Sequence, residues 1–318
     1  MNTAVINNAF ALDIAAGLNA APKFISSKYF YDDNGSALFR EIMKMPEYYP
    51  TRCEAEILKN QSDAICRLVA YDVPFNIIEL GSGDGTKTIN LLTAFLENGV
   101  AFKYIPVDIS TEAISVLEKN ILRSIPNIRM CARAGDYFDI LDELSQEDLV
   151  PNVYLFLGGN IGNYKTSEAE NLLKKFASRM NPGDKLLIGI DLQKNPRVVQ
   201  RAYDDLAGIT KAFNLNLLQR INSELEADFD LSAFDFYSTY NPCNGEVNSF
   251  LISLKQQDVF IAALDLQFSF GKDECIWTEL SKKYTFEQIE ILANTCGFAI
   301  AKNFTDSKGY FTDSLWVK

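Results

Sequence analysis

The 318-residue chain contains no histidine. That absence excludes the serine hydrolase triad in its usual form, His-ligated metals and histidine general acid–base work. Catalysis then rests on carboxylates, tyrosines, lysine or positioning alone. The six cysteines (Cys53, Cys66, Cys131, Cys243, Cys275 and Cys296) lack the CxxC or CxC spacing of a zinc site or redox pair. They read as reduced, mostly buried thiols. Positive charge is in deficit, with 30 Lys and Arg against 42 Asp and Glu and a net charge of -12. Binding a phosphate backbone needs clustered cations to displace counterions, so no nucleic-acid partner is expected. The negative surface is a solubility feature. No apolar run approaches the roughly 20 residues that span a bilayer. The weakly apolar opening is interrupted by Asp13 and has no basic stretch before it, unlike a secretory signal. These absences lead to the expectation of a cytoplasmic protein with no membrane partner and no metal, taken as a monomer, a state that the absences do not themselves imply.

What is present is enough apolar material for a sizeable core, 47% of the chain, and a length that suggests about two domains. The segment Phe75-Asn-Ile-Ile-Glu-Leu80 reads as a buried strand. It runs into the glycine turn Gly81-Ser-Gly-Asp-Gly85 and an amphipathic helix over 86–96, the opening of a nucleotide-binding α/β unit. Further strands are expected at 102–107, 128–132, 152–157 and 185–190, with helices between them such as 111–124 and 167–180. That alternation specifies a mostly parallel sheet covered on both faces. From Thr285 the pattern predicts a capped helix to Cys296 and strands over 298–304 and 310–317. The resulting hairpin brings the sheet to seven strands and supplies an antiparallel edge.

Residues 196–284 have a different texture, with helices over 198–207 and 210–225 followed by strands over 233–240, 246–255, 259–268 and 274–284. The expected organisation is a Rossmann-like α/β domain over 57–195 and 285–318. A second, α+β domain for substrate recognition covers 1–56 and 196–284.

The glycine turn has the spacing GxGxG, with Thr86 where the dinucleotide fingerprint requires its third glycine. Glu79 stands two residues before the first glycine, where an unpaired carboxylate is costly to bury. Asp108 ends the second strand at the carboxyl edge, where open α/β sheets bind ligands and a carboxylate can accept both ribose hydroxyls. Its alternative role is that of an acid at a helix N-terminus, since Ser110 and Glu112 follow. Gly135-Asp-Tyr137 follows the third strand, placing an acid beside an aromatic that can stack on adenine. Together these positions favour S-adenosylmethionine (SAM) over NAD.

At this point the chain resembles the histidine-specific methyltransferases of ergothioneine biosynthesis and their relatives. The resemblance is carried by Lys28-Tyr-Phe-Tyr-Asp32, Met45-Pro-Glu-Tyr-Tyr-Pro-Thr-Arg52, Gly81-Ser-Gly83, Leu157-Gly-Gly-Asn-Ile-Gly-Asn163, Arg201-Ala-Tyr-Asp-Asp205, Ala227-Asp-Phe-Asp230 and Trp277-Thr-Glu-Leu-Ser281. It implies a class I methyltransferase sheet and transfer of methyl groups from SAM to the α-amino group of histidine, up to the trimethylated betaine. By resemblance Gly81, Ser82, Gly83, Lys87, Asp108, Asp136 and Tyr137 occupy cofactor positions. Tyr48, Asn163 and Tyr203, with Tyr31 nearby, match the residues that hold the backbone end of the amino acid. Glu279 and Ser281 match the pair that grips the imidazole. Gly159-Asn160 stands where such relatives have Ser-Thr, and Ser249 where the bacterial histidine enzymes have a larger methionine.

The residue types suit this chemistry. Methyl transfer to an amine is an in-line displacement that needs mainly proximity and alignment. Tyrosines and an asparagine bind a carboxylate while staying neutral beside a sulfonium. Glu279 and Ser281, two apart in a strand, project to one face. No single residue is assigned as general base. Plainer roles exist for the same residues: packing for Tyr48 and Tyr49, a solvated ion pair with Lys282 or Lys283 for Glu279, and a helix cap for Asn163. Two other functions remain in play, the same chemistry on another aromatic amino acid such as tryptophan or a derivative, and a non-catalytic SAM sensor.

Overall fold

The computed structural model describes residues 9–145 and 150–318. The chain divides into two compact units, Pro50–Gln193 with Lys282–Lys318, and Met1–Tyr49 with Lys194–Ser281. Among the described residues no helix is long and apolar enough to cross a membrane. All six cysteines are free thiols.

The larger unit is built on seven strands: β1 (Phe75–Leu80), β2 (Phe102–Asp108), β3 (Arg133–Ala134), β4 (Asn152–Phe156), β5 (Lys185–Asp191), β6 (Ala299–Thr305) and β7 (Phe311–Val317). Their order in the sheet is β6-β7-β5-β4-β1-β2-β3. The central strands are apolar almost without interruption, as Ile77, Ile78 and Leu80 in β1 and Leu186, Leu187 and Ile188 in β5 show. Such strands are stable only with both faces covered. Helices Thr166–Arg179 and Phe286–Thr295 bury Leu173, Phe176, Ile289 and Ala293 in one core with Ile78, Phe156 and Trp316. The chain runs from β1 outward to β3 and then returns to β4 on the other side of β1. The strand order therefore reverses between β1 and β4, and open α/β sheets bind their ligands at the carboxyl ends of strands at such a point.

Four local expectations are corrected. The terminal hairpin does not place its antiparallel strand at the edge. β7 lies between β6 and β5 and is antiparallel to both. β7 is buried from Phe311 to Trp316 whereas β6 is largely exposed, so burial assigns β7 the inner position. The third strand falls at Arg133–Ala134 and not at 128–132. Around Met130 the chain already touches β2, through Tyr104 N–H to the Arg129 carbonyl and Cys131 N–H to the Tyr104 carbonyl, each 2.9 Å. The next donor along β2 would be Pro106, which has no N–H, so the ladder lapses until Asp108. The helix after the glycine turn starts at Ile89, leaving Lys87 and Thr88 in the turn. Residues 259–268 form no single strand, since Asp265 adopts φ 52° and folds the segment into a hairpin of Gln257–Ile261 and Leu266–Phe270. Aspartate tolerates that conformation, and no Gly or Pro marks the turn.

The smaller unit carries a four-stranded sheet in the order Lys23–Phe24, Cys275–Lys282, Glu246–Ser253, Phe234–Asn241. Strand Glu246–Ser253 alternates, burying Val247, Ser249, Leu251 and Ser253. Helices Ala9–Asn19, Asp33–Lys44 and Ile209–Leu225 contribute to a core containing Ile14, Ile42, Phe30, Phe213, Leu217 and Ile276. Asp32 caps the second of these helices, accepting from Gly35 N at 2.7 Å and from Asn216 Nδ2 at 2.7 Å. The Lys28 to Asp32 motif is thereby fastened to helix Ile209–Leu225.

Candidate active site

At the carboxyl end of β1, the glycine turn is held from two sides. Asp108 Oδ2 accepts the Gly83 amide at 3.1 Å, and its Oδ1 accepts the Ser110 amide at 3.0 Å. The helix that follows is capped by Ser110 itself, whose Oγ accepts from Ala113 N at 3.1 Å. Asp108 therefore bridges the β1 and β2 termini and leaves the capping to Ser110. The Gly135 amide donates to the Asp108 carbonyl at 2.9 Å, which brings the third predicted segment alongside. Asp136 caps helix Tyr137–Leu144 through Phe138 N at 2.8 Å. Burial first, and Tyr164 second, push the Tyr137 phenol above its ordinary pKa. Gly81, Ser82, Gly83, Asp108, Asp136 and Tyr137 thus collect at one edge of the sheet.

The turn suits a nucleotide-like ligand on its own evidence. Gly81 and Gly83 adopt φ of 70° and 55°, which glycine alone adopts without strain. A Cβ on Gly83 would meet nothing within 4 Å, so a ligand can approach the backbone closely. Ser82 Oγ is buried and has no hydrogen-bond partner among the described residues. A ligand that accepts from or donates to it would satisfy it.

Beneath the turn, Glu79 is buried and accepts hydrogen bonds from Thr88 Oγ1 at 2.6 Å and from the Tyr104 hydroxyl. Burial pushes its carboxyl up to about 7, opposed by these two hydrogen bonds and by Lys87. Lys87 Nζ is ion-paired with Glu54 Oε2 at 2.8 Å. The sequence reading did not single out Glu54, Thr88 or Tyr104. Glu54 had a signal, because it falls on the apolar stripe of its helix with Ile57 and Leu58, an expensive place for an unpaired acid.

Asn163 closes the short turn Asn160–Asn163 after β4. It does not cap the next helix, which starts at Thr166 with the Glu168 side chain accepting from Lys165 N at 3.0 Å. Gly159 in this turn has φ 71°, a backbone reason for glycine there.

On the smaller unit, Glu279 and Ser281 share a face of strand Cys275–Lys282, as their spacing requires. The Ser281 hydroxyl lies 2.9 Å from the Tyr203 hydroxyl, and both residues are buried. Ser249 Oγ donates to Glu279 Oε2 at 3.5 Å. The Tyr48 ring meets Tyr203 edge-on at 6.1 Å, and Tyr31 meets Phe39 edge-on at 5.5 Å. Tyr31 keeps half its surface exposed, yet desolvation first and the Glu279 carboxylate second push its phenol pKa upward. Tyr31, Tyr48, Tyr203, Glu279 and Ser281 thus form an aromatic and polar set on this unit, with Asn163 on the other.

The two lysines that follow Glu279 in sequence both have partners in the larger unit. Lys283 Nζ pairs with Asp191 at 2.9 Å, and Lys282 Nζ donates to Thr166 Oγ1 at 2.7 Å. Both adjacent tyrosines pack: Tyr48 lies against the core of the smaller unit and the ring of Phe39, and Tyr49 has its ring under Lys194 Nζ at 4.0 Å and its hydroxyl accepting from the same ammonium. Among the described residues no cluster of three or more acidic or Cys side chains is arranged to hold a metal ion.

The profile of a family described as "Histidine-specific methyltransferase, SAM-dependent" matches residues 10–318. The chain is 38% identical over 306 residues to a histidine N-alpha-methyltransferase of Mycolicibacterium smegmatis, covering 96% of this chain and 94% of the relative. It is 36% identical to the protein of that name from Mycobacterium tuberculosis, with the same coverage. Ergothioneine biosynthesis protein 1 of Schizosaccharomyces pombe is 33% identical over 254 residues, 77% of this chain and 32% of that much longer protein.

Proposed function

We propose that this chain, which belongs to the family of SAM-dependent, histidine-specific methyltransferases, transfers methyl groups from SAM to the α-amino group of L-histidine. The observation that carries the substrate is the polar set of Tyr203, Ser281, Glu279 and Ser249. A carboxylate that accepts from an imidazole N–H, beside a hydroxyl that serves the other ring nitrogen, selects histidine by a paired contact. An apolar ring offers neither contact and forgoes hydrogen bonds that contribute about 0.5–1.5 kcal/mol each, and about 1.5–3 where the partner is charged.

The larger unit is the methyltransferase domain in this reading and the smaller one the substrate-recognition domain. Gly81, Ser82 and Gly83 offer backbone and hydroxyl, Asp108 a ribose partner, Asp136 and Tyr137 the adenine end, and Lys87 a cation toward the cofactor's carboxylate. SAM supplies an activated methyl group and its own leaving group. Tyr31, Tyr48, Tyr203 and Asn163 bind the amino acid's carboxylate and amine as neutral groups. Tyr31, with its pKa raised, remains a donor at neutral pH and is not a phenolate base. The amine must lose a proton before it attacks, and tyrosine hydroxyls with water form the relay.

The test is to incubate the pure protein with SAM and each of the twenty amino acids and to read products by mass spectrometry. Methyl increments on histidine are expected, and their number gives the extent of methylation. Absence of any transfer to histidine would overturn the substrate. A second reading keeps the chemistry and changes the acceptor to another aromatic amino acid. It is favoured by Ser249, a small residue against Glu279, and a Glu279→Ala variant that spares activity on that acceptor would support it.

A further inference from the structure

Under the glycine turn of the larger unit, three carboxyl groups and one ammonium lie close together. Glu54 on helix Pro50–Asn60, Glu79 at the end of β1 and Asp313 in β7 are all buried. Lys87 is the cation, 2.8 Å from Glu54 Oε2. The other Glu54 oxygen, Oε1, accepts the amide of Gly158. One carboxylate thus grips both loops that leave the carboxyl ends of β1 and β4, where the strand order reverses. Clearance for it is built into β5, because a Cβ on Gly189 would stand 2.5 Å from Glu54 Oε1. Packing of the helix does not demand this arrangement. Replacing a buried ion pair by apolar residues of similar volume is often neutral or stabilising.

We propose that Glu54 is a positioning residue for the cofactor, setting the spacing and direction of Lys87 and the Gly158 loop. The proposal rests on the assignment of Lys87 and the glycine turn to SAM. Asp313 fits the same design. It sits opposite Gly189 in the β7–β5 ladder, and neither of its carboxyl oxygens has a hydrogen-bond partner among the described residues. Burial first and the charge of Glu54 second hold its carboxyl well above the usual range, while Lys87 opposes them. That direction favours the neutral form of Asp313 beside the Glu54–Lys87 pair.

The experiment is calorimetric titration of SAM into the wild type, Glu54→Gln, Lys87→Met and the double variant, with steady-state kinetics alongside. Glu54→Gln is expected to weaken SAM binding at least tenfold and raise KM for SAM in step, with KM for histidine changing less than threefold. In the Lys87→Met background the same substitution should cost clearly less than in the wild type, because the part of its action that passes through Lys87 is already lost. Gly189→Ala displaces the carboxylate without removing its charge and should reproduce the selective loss, including where Glu54→Gln fails to fold. Unchanged SAM affinity in Glu54→Gln, losses that simply multiply in the double variant, or unfolding of both Glu54→Gln and Gly189→Ala would overturn the positioning role. A wild type that does not bind SAM would instead overturn the cofactor assignment on which it rests.

Discussion

The hydroxyls of Tyr203 and Ser281 lie 2.9 Å apart, one on helix Pro196–Tyr203 and the other on strand Cys275–Lys282, 78 residues later in the chain. This bond joins a residue assigned to the amino acid's backbone end to one assigned to its ring. Tyr203→Phe should therefore disturb both. We expect KM for histidine to rise about tenfold, the equivalent of one lost hydrogen bond of ~1–1.5 kcal/mol, with KM for SAM unchanged. Initial-rate kinetics with each substrate varied in turn would show it, and an unchanged histidine KM would count against the assignment.

Glu279→Gln keeps the shape of the side chain and removes its charge. The imidazole N–H then faces a weaker acceptor, and hydrogen bonds to charged groups contribute about 1.5–3 kcal/mol. Histidine kcat/KM should fall by roughly 10- to 100-fold. An aromatic amino acid with an apolar ring should lose much less in the same assay, and equal losses on both would remove Glu279 from ring recognition.

Lys283 and Asp191 form an ion pair in which both side chains are almost fully buried. Removing one partner strands the other charge in the core. Lys283→Met should cost about 3–5 kcal/mol of stability, seen as a lower urea midpoint with the slope unchanged. A loss under about 1 kcal/mol would place the pair in a solvated setting.

Glu79 makes stability depend on pH in a direction that can be worked out. Burial raises its folded-state pKa from 4.5 to about 7, so between those values the folded chain holds a proton that the unfolded chain has released. Its contribution is fully present below pH 4.5 and is lost as pH rises through about 7. The change amounts to roughly 3 kcal/mol at ~1.4 kcal/mol per pKa unit. Glu79→Gln should flatten this part of the profile, gaining on the wild type at pH 8 relative to pH 5. Chemical unfolding at several pH values checks it, and parallel profiles for the two proteins would refute it.

Much of the larger unit was legible in the sequence because its signals are local. Helix Thr111–Ser124 falls where its Ser110 cap and apolar spacing put it. The apolar run of β1 ending in a glycine turn was likewise sufficient to place that strand and its turn. The errors arose where a neighbouring strand decided. Pro106 in β2 displaced β3 along the chain, and the burial of β7 drew it inside β6. Asp265 reversed the chain without glycine or proline, so the hairpin it makes carried no signal in composition.

In the candidate site, residue types and faces follow from the order of amino acids alone. The absence of histidine excluded whole classes of catalysis. A two-residue spacing put Glu279 and Ser281 on one side of a strand, since side chains alternate along it. The partners come from long-range packing. It paired Lys87 with Glu54, drew Lys282 and Lys283 away from Glu279 to Thr166 and Asp191, and set the Ser281 hydroxyl against Tyr203. Those choices depend on which elements pack together over tens to hundreds of residues. No local pattern encodes them, because a hydrogen bond is satisfied by whatever the folded backbone brings within about 3 Å.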